Sequence, residues 1–232
     1  MVEIKGLEKF APKDFPGYLS STVFLPGCNF RCPYCHNSGL VLRPDTYATI
    51  PMDFFLAYLD SRKNWLEGIC LSGGEPLLES GLEELLSVIK ERKLLVKLDT
   101  NGSYPKKLEA LIEAKLVDWV AMDVKAPLER YQDVTRSNVK PEDVARSAEI
   151  IRASGLNYMF RTTVVPGLVG EEDILKISRW LGGSTFFQIQ QFSPVNTIDG
   201  DFEKLRPFGR EELYALAQLA RPHFGEVRIE GV

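Results

Sequence analysis

Cys28, Cys32 and Cys35 lie in the stretch FLPGCNFRCPYCHN with the spacing C-x3-C-x2-C. Thiolates this close along a chain converge on one metal centre, yet three of them leave a four-coordinate site one ligand short. An open position is where metal chemistry takes place. Two completions would make a closed zinc site, one through Cys70 and one through His36. Both are awkward, because His36 directly follows Cys35 and Cys70 sits inside the apolar run GICLS, where a small buried hydrophobe is the ordinary reading. A three-thiolate iron-sulfur site with one exchangeable iron fits the spacing better.

Four further segments carry polar residues in unusual places. SGGEP, Ser72 to Pro76, has paired glycines that let the backbone approach a ligand closely, or that simply make a tight turn, with Glu75 as a helix N-terminal acid. DTNG, Asp99 to Gly102, contains the strong turn pair Asn101-Gly102. In MDVKAP, alternation puts Asp123 and Lys125 on one side of a strand, as a buried ion pair or a polar lining. Arg161 in YMFRTTVVPG is a charge in another apolar strand, able to hold a carboxylate or to pair with Asp123. His223 and the absence of any Ser/His/Asp arrangement add nothing.

These segments have to be positioned by a regular frame. Apolar β-rich runs are expected at residues 18–25, 68–72, 95–100, 119–124, 158–165, 186–192 and 226–230, alternating with amphipathic helices at 52–66, 81–92, 105–115, 141–153, 171–181 and 210–222. Repeated βα units predict an α/β protein, either a doubly wound sheet or a complete or partial barrel, in which function sits at the C-terminal strand ends. The cysteine loop, SGGEP, DTNG and MDVKAP all fall there.

The chain has 232 residues, 44% of them hydrophobic, which is enough for one α/β domain. Lys plus Arg number 28 against 32 Asp plus Glu, a net charge of −4, so nothing favours nucleic acid as a partner. The N-terminus lacks an apolar signal region and no stretch is long enough to span a membrane, so a cytoplasmic protein with reduced thiols is expected.

With C-x3-C-x2-C, an aromatic before the third cysteine, GGEP, DTNG, MDVK and VVPG in that order, nearly the whole chain resembles the radical S-adenosylmethionine superfamily. CHN after the cysteines, the early DFPG and the lack of a later cysteine cluster resemble the glycyl-radical-enzyme activating proteins, most of all those of anaerobic ribonucleoside-triphosphate reductase. One departure separates it from activases of pyruvate formate-lyase type: they carry DGPG followed by an arginine, and here Phe15 replaces the first glycine and the arginine is missing.

The resemblance implies a partial (β/α)6 TIM-like barrel in a single domain over 1–232, with a core at about 18–192 and a C-terminal helix and strand extension at 193–232. It implies a 4Fe-4S cluster on Cys28, Cys32 and Cys35, whose fourth iron is chelated by S-adenosylmethionine. Gly73, Gly74 and Glu75 would meet the methionyl amino group, Lys125 and Arg161 its carboxylate, and Tyr34 and the peptide around His36 the adenine. Asp99, Thr100 and Asp123 would lie near the cofactor, where a monovalent cation binds, with Asn101 counted among the cofactor-binding residues. Flavodoxin or ferredoxin would supply the electron for reductive cleavage, and a partner enzyme's glycine would lose hydrogen. The same core serves radical enzymes acting on small molecules such as deazapurine precursors, and a zinc-stabilised binding module is the non-catalytic alternative.

Overall fold

The computed structural model describes residues 2–231. The strands are β1 (Gly6–Glu8), β2 (Ser20–Leu25), β3 (Gly68–Gly73), β4 (Leu95–Thr100), β5 (Trp119–Asp123), β6 (Asn157–Val164), β7 (Phe186–Gln191) and β8 (Glu226–Glu230), and they follow one another in chain order in the sheet. Pairing is parallel for β2 with β3, β3 with β4, β6 with β7 and β7 with β8, while β1 runs antiparallel to β2. The helices are α1 (Ser38–Leu42), α2 (Met52–Arg62), α3 (Leu82–Glu91), α4 (Pro105–Glu113), α5 (Tyr131–Thr135), α6 (Pro141–Ala153), α7 (Glu171–Leu181) and α8 (Arg210–Ala220). The chain is therefore α/β, with the strand order of the expected partial (β/α)6 architecture. None of the described helices is long and apolar enough to cross a membrane.

The chain packs as two compact units. The first comprises residues 2–29, 39–100 and 106–120. Its parallel strands β2, β3 and β4 are buried along most of their length, as parallel strands covered by helices must be, and α3 lays Leu82, Leu85, Leu86 and Ile89 against that layer. Glu83 and Glu84 lie in the first turn of α3 and Lys90 in its last, each complementing the helix dipole. Phe15, 1% exposed, packs edge-on to Tyr18 with ring centroids 4.8 Å apart and tilted to Trp119 at 6.5 Å. A Cβ at Gly68 would come within 2.8 Å of the Phe15 ring, so the glycine opening β3 makes room for the phenyl group.

The second unit comprises residues 30–38, 101–105 and 121–231. Here α6 begins on Pro141, whose fixed φ suits a first turn, and buries Val144, Ala148 and Ile151. Asp173, third residue of α7, accepts from the Gly170 amide at 3.0 Å and from Arg130 at 2.5 Å, and Glu212 caps α8 through the Gly209 amide at 2.6 Å.

The strands and α6 and α7 lie close to their expected positions. Three helices stop early. Beyond Arg62 the chain turns, at Lys115 it enters a left-handed conformation with φ of 57°, and Pro222 leaves only a 3-10 turn after α8. β1, α1 and α5, five residues or shorter, were not expected.

Candidate cofactor site

In the first unit, β3 ends on Gly73 with φ of 109°, a conformation that favours glycine. The Gly74 amide donates to Leu25 O at 2.9 Å and the Glu75 amide to Gly27 O at 2.8 Å, so the strand end is laced to the residue preceding Cys28. A Cβ on Gly74 would lie 1.6 Å from that Gly27 oxygen. Both glycines are required by close backbone approach. Cys28 is half-buried. Glu75 is fully buried, and its Oε1 accepts from the Leu77 amide at 3.1 Å and from the Thr100 hydroxyl at 2.8 Å, which joins the SGGEP and DTNG segments.

Asp99 turns elsewhere within the same unit. It pairs with Lys97, itself 1% exposed, and the Cys70 thiol lies 3.5 Å from its Oδ1 and 3.6 Å from Lys97 Nζ. The parallel register sets Cys70 opposite Lys97, and the Trp119 ring supports the ammonium at 5.3 Å. Cys70 is thus fully buried and engaged by the Lys97–Asp99 pair.

In the second unit, the Cys35 amide donates to Cys32 O at 3.0 Å, a turn that draws these two cysteines together. The loop is fixed through the Arg31 amide on Thr135 O at 2.8 Å and the Asp199 amide on Pro33 O at 2.9 Å. Burial pushes the Cys35 thiol up, against the pull of the Lys125 ammonium. Tyr34 is buried and its hydroxyl has no hydrogen-bond partner among the described residues; burial and then the neighbouring Cys32, Tyr131, Asp123 and Cys35 push its pKa well up. His36, by contrast, is exposed.

Asp123 carries two cations. Arg161 reaches it bidentately, Nε to Oδ1 at 2.7 Å and Nη2 to Oδ2 at 3.1 Å, and Lys125 Nζ lies 3.2 Å from Oδ2. Burial would raise the carboxyl's pKa, but Arg161 and Lys125 outweigh it and hold it well below the usual range. Two cations on one carboxylate leave an excess of one positive charge, suited to a second anion. Tyr131 buttresses the pair, its hydroxyl donating to Asp123 O at 3.3 Å and accepting from the Lys125 amide at 3.2 Å. Asn101 closes its own turn, its Oδ1 accepting from the Ser103 amide at 3.0 Å and hydroxyl at 2.6 Å.

Sequence reasoning passed over Lys97 and Tyr131. The alternation argument applied to MDVKAP, used on LLVKLDT, would have placed Lys97 and Asp99 on one strand face. Nothing local marks Tyr131.

The family model of the radical SAM superfamily matches residues 22–181. This chain belongs to that superfamily. It is 33% identical over 99% of its length, and 96% of the relative's, to a Methanocaldococcus jannaschii protein provisionally named a glycyl-radical enzyme activating enzyme. It is 30% identical to the pyruvate formate-lyase-activating enzyme of Streptococcus mutans, over 86% of this chain and 79% of that one. Among solved structures, Streptococcus suis SuiB bound to S-adenosylmethionine superposes with a TM-score of 0.65 at 16% identity, over 91% of this chain; the chain spans about half of SuiB's length, 52%. That likeness shows a shared fold.

Among the described residues, no group of three or more Cys, His, Asp or Glu is placed to hold a metal ion, so the fit of the family's cluster rests on the donors' chemistry and spacing. Each unit by itself carries features that suit a bound ligand: in the first, the close-packed glycine strand end; in the second, a Tyr34 hydroxyl with no partner among the described residues and two cations converging on Asp123.

Proposed function

We propose that this protein is a radical SAM activase that generates a glycyl radical on a partner enzyme, the partner being anaerobic ribonucleoside-triphosphate reductase and the electron donor flavodoxin or ferredoxin. The observation that carries the cofactor reading is the buried Tyr34 hydroxyl without a partner, set among Cys32, Cys35, Asp123 and Tyr131. A buried hydroxyl left unpaired is costly, and a bound ligand removes the cost. Similarity to activating enzymes along most of both chains supports a glycyl-radical enzyme as the partner, and the choice of the reductase rests on the CHN and DFPG motifs of this sequence.

Cys28, Cys32 and Cys35 would hold a 4Fe-4S cluster, and Gly73, Gly74 and Glu75 would receive the amino group of S-adenosylmethionine. Lys125 and Arg161 would attract its carboxylate through their surplus charge, Arg161 from its place on Asp123 rather than as a detached guanidinium. Tyr34 and the peptide at His36 would border the adenine. When bound and reduced, the cluster and S-adenosylmethionine supply a 5'-deoxyadenosyl radical able to remove hydrogen from glycine. The chain's own contribution is to orient that cofactor and exclude water. A monovalent cation at Asp99, Thr100 and Asp123 fits less well, because both carboxylates already carry cations of the chain.

The test is electron paramagnetic resonance on the reconstituted, reduced protein with S-adenosylmethionine and a candidate glycyl-radical reductase. A glycyl doublet is expected. Cleavage of S-adenosylmethionine without a doublet on any glycyl-radical enzyme of the source organism would instead favour a small-molecule substrate, such as a deazapurine precursor.

A further inference from the structure

Lys97 and Asp99 form a buried ion pair on β4 that the proposed chemistry does not use. Two residues apart on a strand, they share a face, and Cys70 across the parallel register and Trp119 complete the surroundings of the ammonium. A carboxylate, a thiol at 3.6 Å and a ring face at 5.3 Å form the kind of polar nest that would otherwise recruit a small cation from solution. Here the cation is covalently tethered, so no ion must be captured. A second cation on Asp99 would meet the repulsion of the ammonium in a poorly screened interior. In the other unit, both oxygens of Asp123 are taken, Oδ1 by Arg161 and Oδ2 by Arg161 and Lys125.

We infer that Lys97 on Asp99, and Arg161 with Lys125 on Asp123, are built-in counter-cations, so that this protein binds and uses S-adenosylmethionine without a monovalent metal ion. The part concerning S-adenosylmethionine rests on the function proposed above; the part concerning the carboxylates does not. Lys97 is a positioning residue, acting on the strand end through Asp99.

The experiment measures thermal unfolding of the full-length protein, before and after anaerobic reconstitution, in potassium, sodium or tetramethylammonium chloride at equal ionic strength. For the wild type, midpoints in the three salts should agree within about 1 °C, whereas Lys97→Met should be less stable and regain about 3 °C or more in potassium or sodium. Lys97→Gln should behave likewise, and Lys97→Met/Asp99→Asn, which removes both charges, should again be indifferent. Stabilisation of the wild type by potassium or sodium over tetramethylammonium would overturn the inference, as would cation indifference in both single variants. S-adenosylmethionine affinity of the reconstituted wild type should agree within about twofold between salts. No measurable binding in any salt would count against the proposed function while leaving the unfolding comparison to decide on the counter-cations.

Discussion

At Asp123 the sign of the pH dependence follows from its partners. Arg161 and Lys125 hold the folded carboxyl below its usual range, so the folded chain binds this proton more weakly than the unfolded chain. The stabilisation is therefore full above the ordinary carboxylate pKa of about 4 and fades as pH falls through the depressed folded value. Asp123→Asn should cost about 3 kcal/mol near neutrality by stranding two cations. That deficit should shrink below about pH 4 in thermal unfolding against pH; a pH-independent deficit would mean that the pair contributes nothing ionic. Tyr34 gives a change of opposite sign in two states. Tyr34→Phe should stabilise the ligand-free protein by about 1 kcal/mol, by removing an unpaired buried hydroxyl, while weakening S-adenosylmethionine binding. Destabilisation of the ligand-free variant in calorimetry would show that the hydroxyl has a partner after all. The residues with distinctive chemistry, cysteines, paired glycines and charges in apolar strands, were legible in the sequence. The links from Cys70 to Lys97 and from Glu75 to Thr100 were not, because strand register and the path of a turn decide them.

At the level of elements, the junction of β3 with the cysteine loop is fixed by backbone contacts that no side chain can replace. Gly74→Ala would force a Cβ to 1.6 Å from Gly27 O and break the hydrogen bond that the Glu75 N–H donates to that oxygen. A stability loss of about 1–3 kcal/mol is expected, together with an S-adenosylmethionine affinity at least about tenfold weaker. Gly200→Ala, where a Cβ would meet nothing within 4 Å, is the control and should change neither. Equal behaviour of the two variants in unfolding and equilibrium binding would refute the role given to the junction. The parallel strands were readable because apolar runs and helical periodicity alternate over many residues. β1, α1 and α5 are too short for any period to register, and tertiary packing rather than local propensity sets them.

For the molecule as a whole, metal loading should appear as folding free energy, since thiolates that hold a cluster in the native state have no such site when unfolded. Anaerobic reconstitution should raise the unfolding midpoint by about 5 °C or more. Cys28→Ala, Cys32→Ala and Cys35→Ala should each abolish the rise and the uptake of iron and sulfide, and Cys70→Ala should preserve both. Loss of uptake in a folded Cys70→Ala variant, or one tightly bound zinc without acid-labile sulfide, would return the four-thiolate site to consideration. Phe15 and Gly68 carry a different kind of consequence. The phenyl ring that departs from the DGPG pattern occupies space that only a glycine at 68 leaves open. Across a lineage the two positions are therefore coupled: where the ring gives way to glycine, only the Leu95 carbonyl, 3.2 Å from a Cβ, still crowds position 68, and small side chains should begin to appear there.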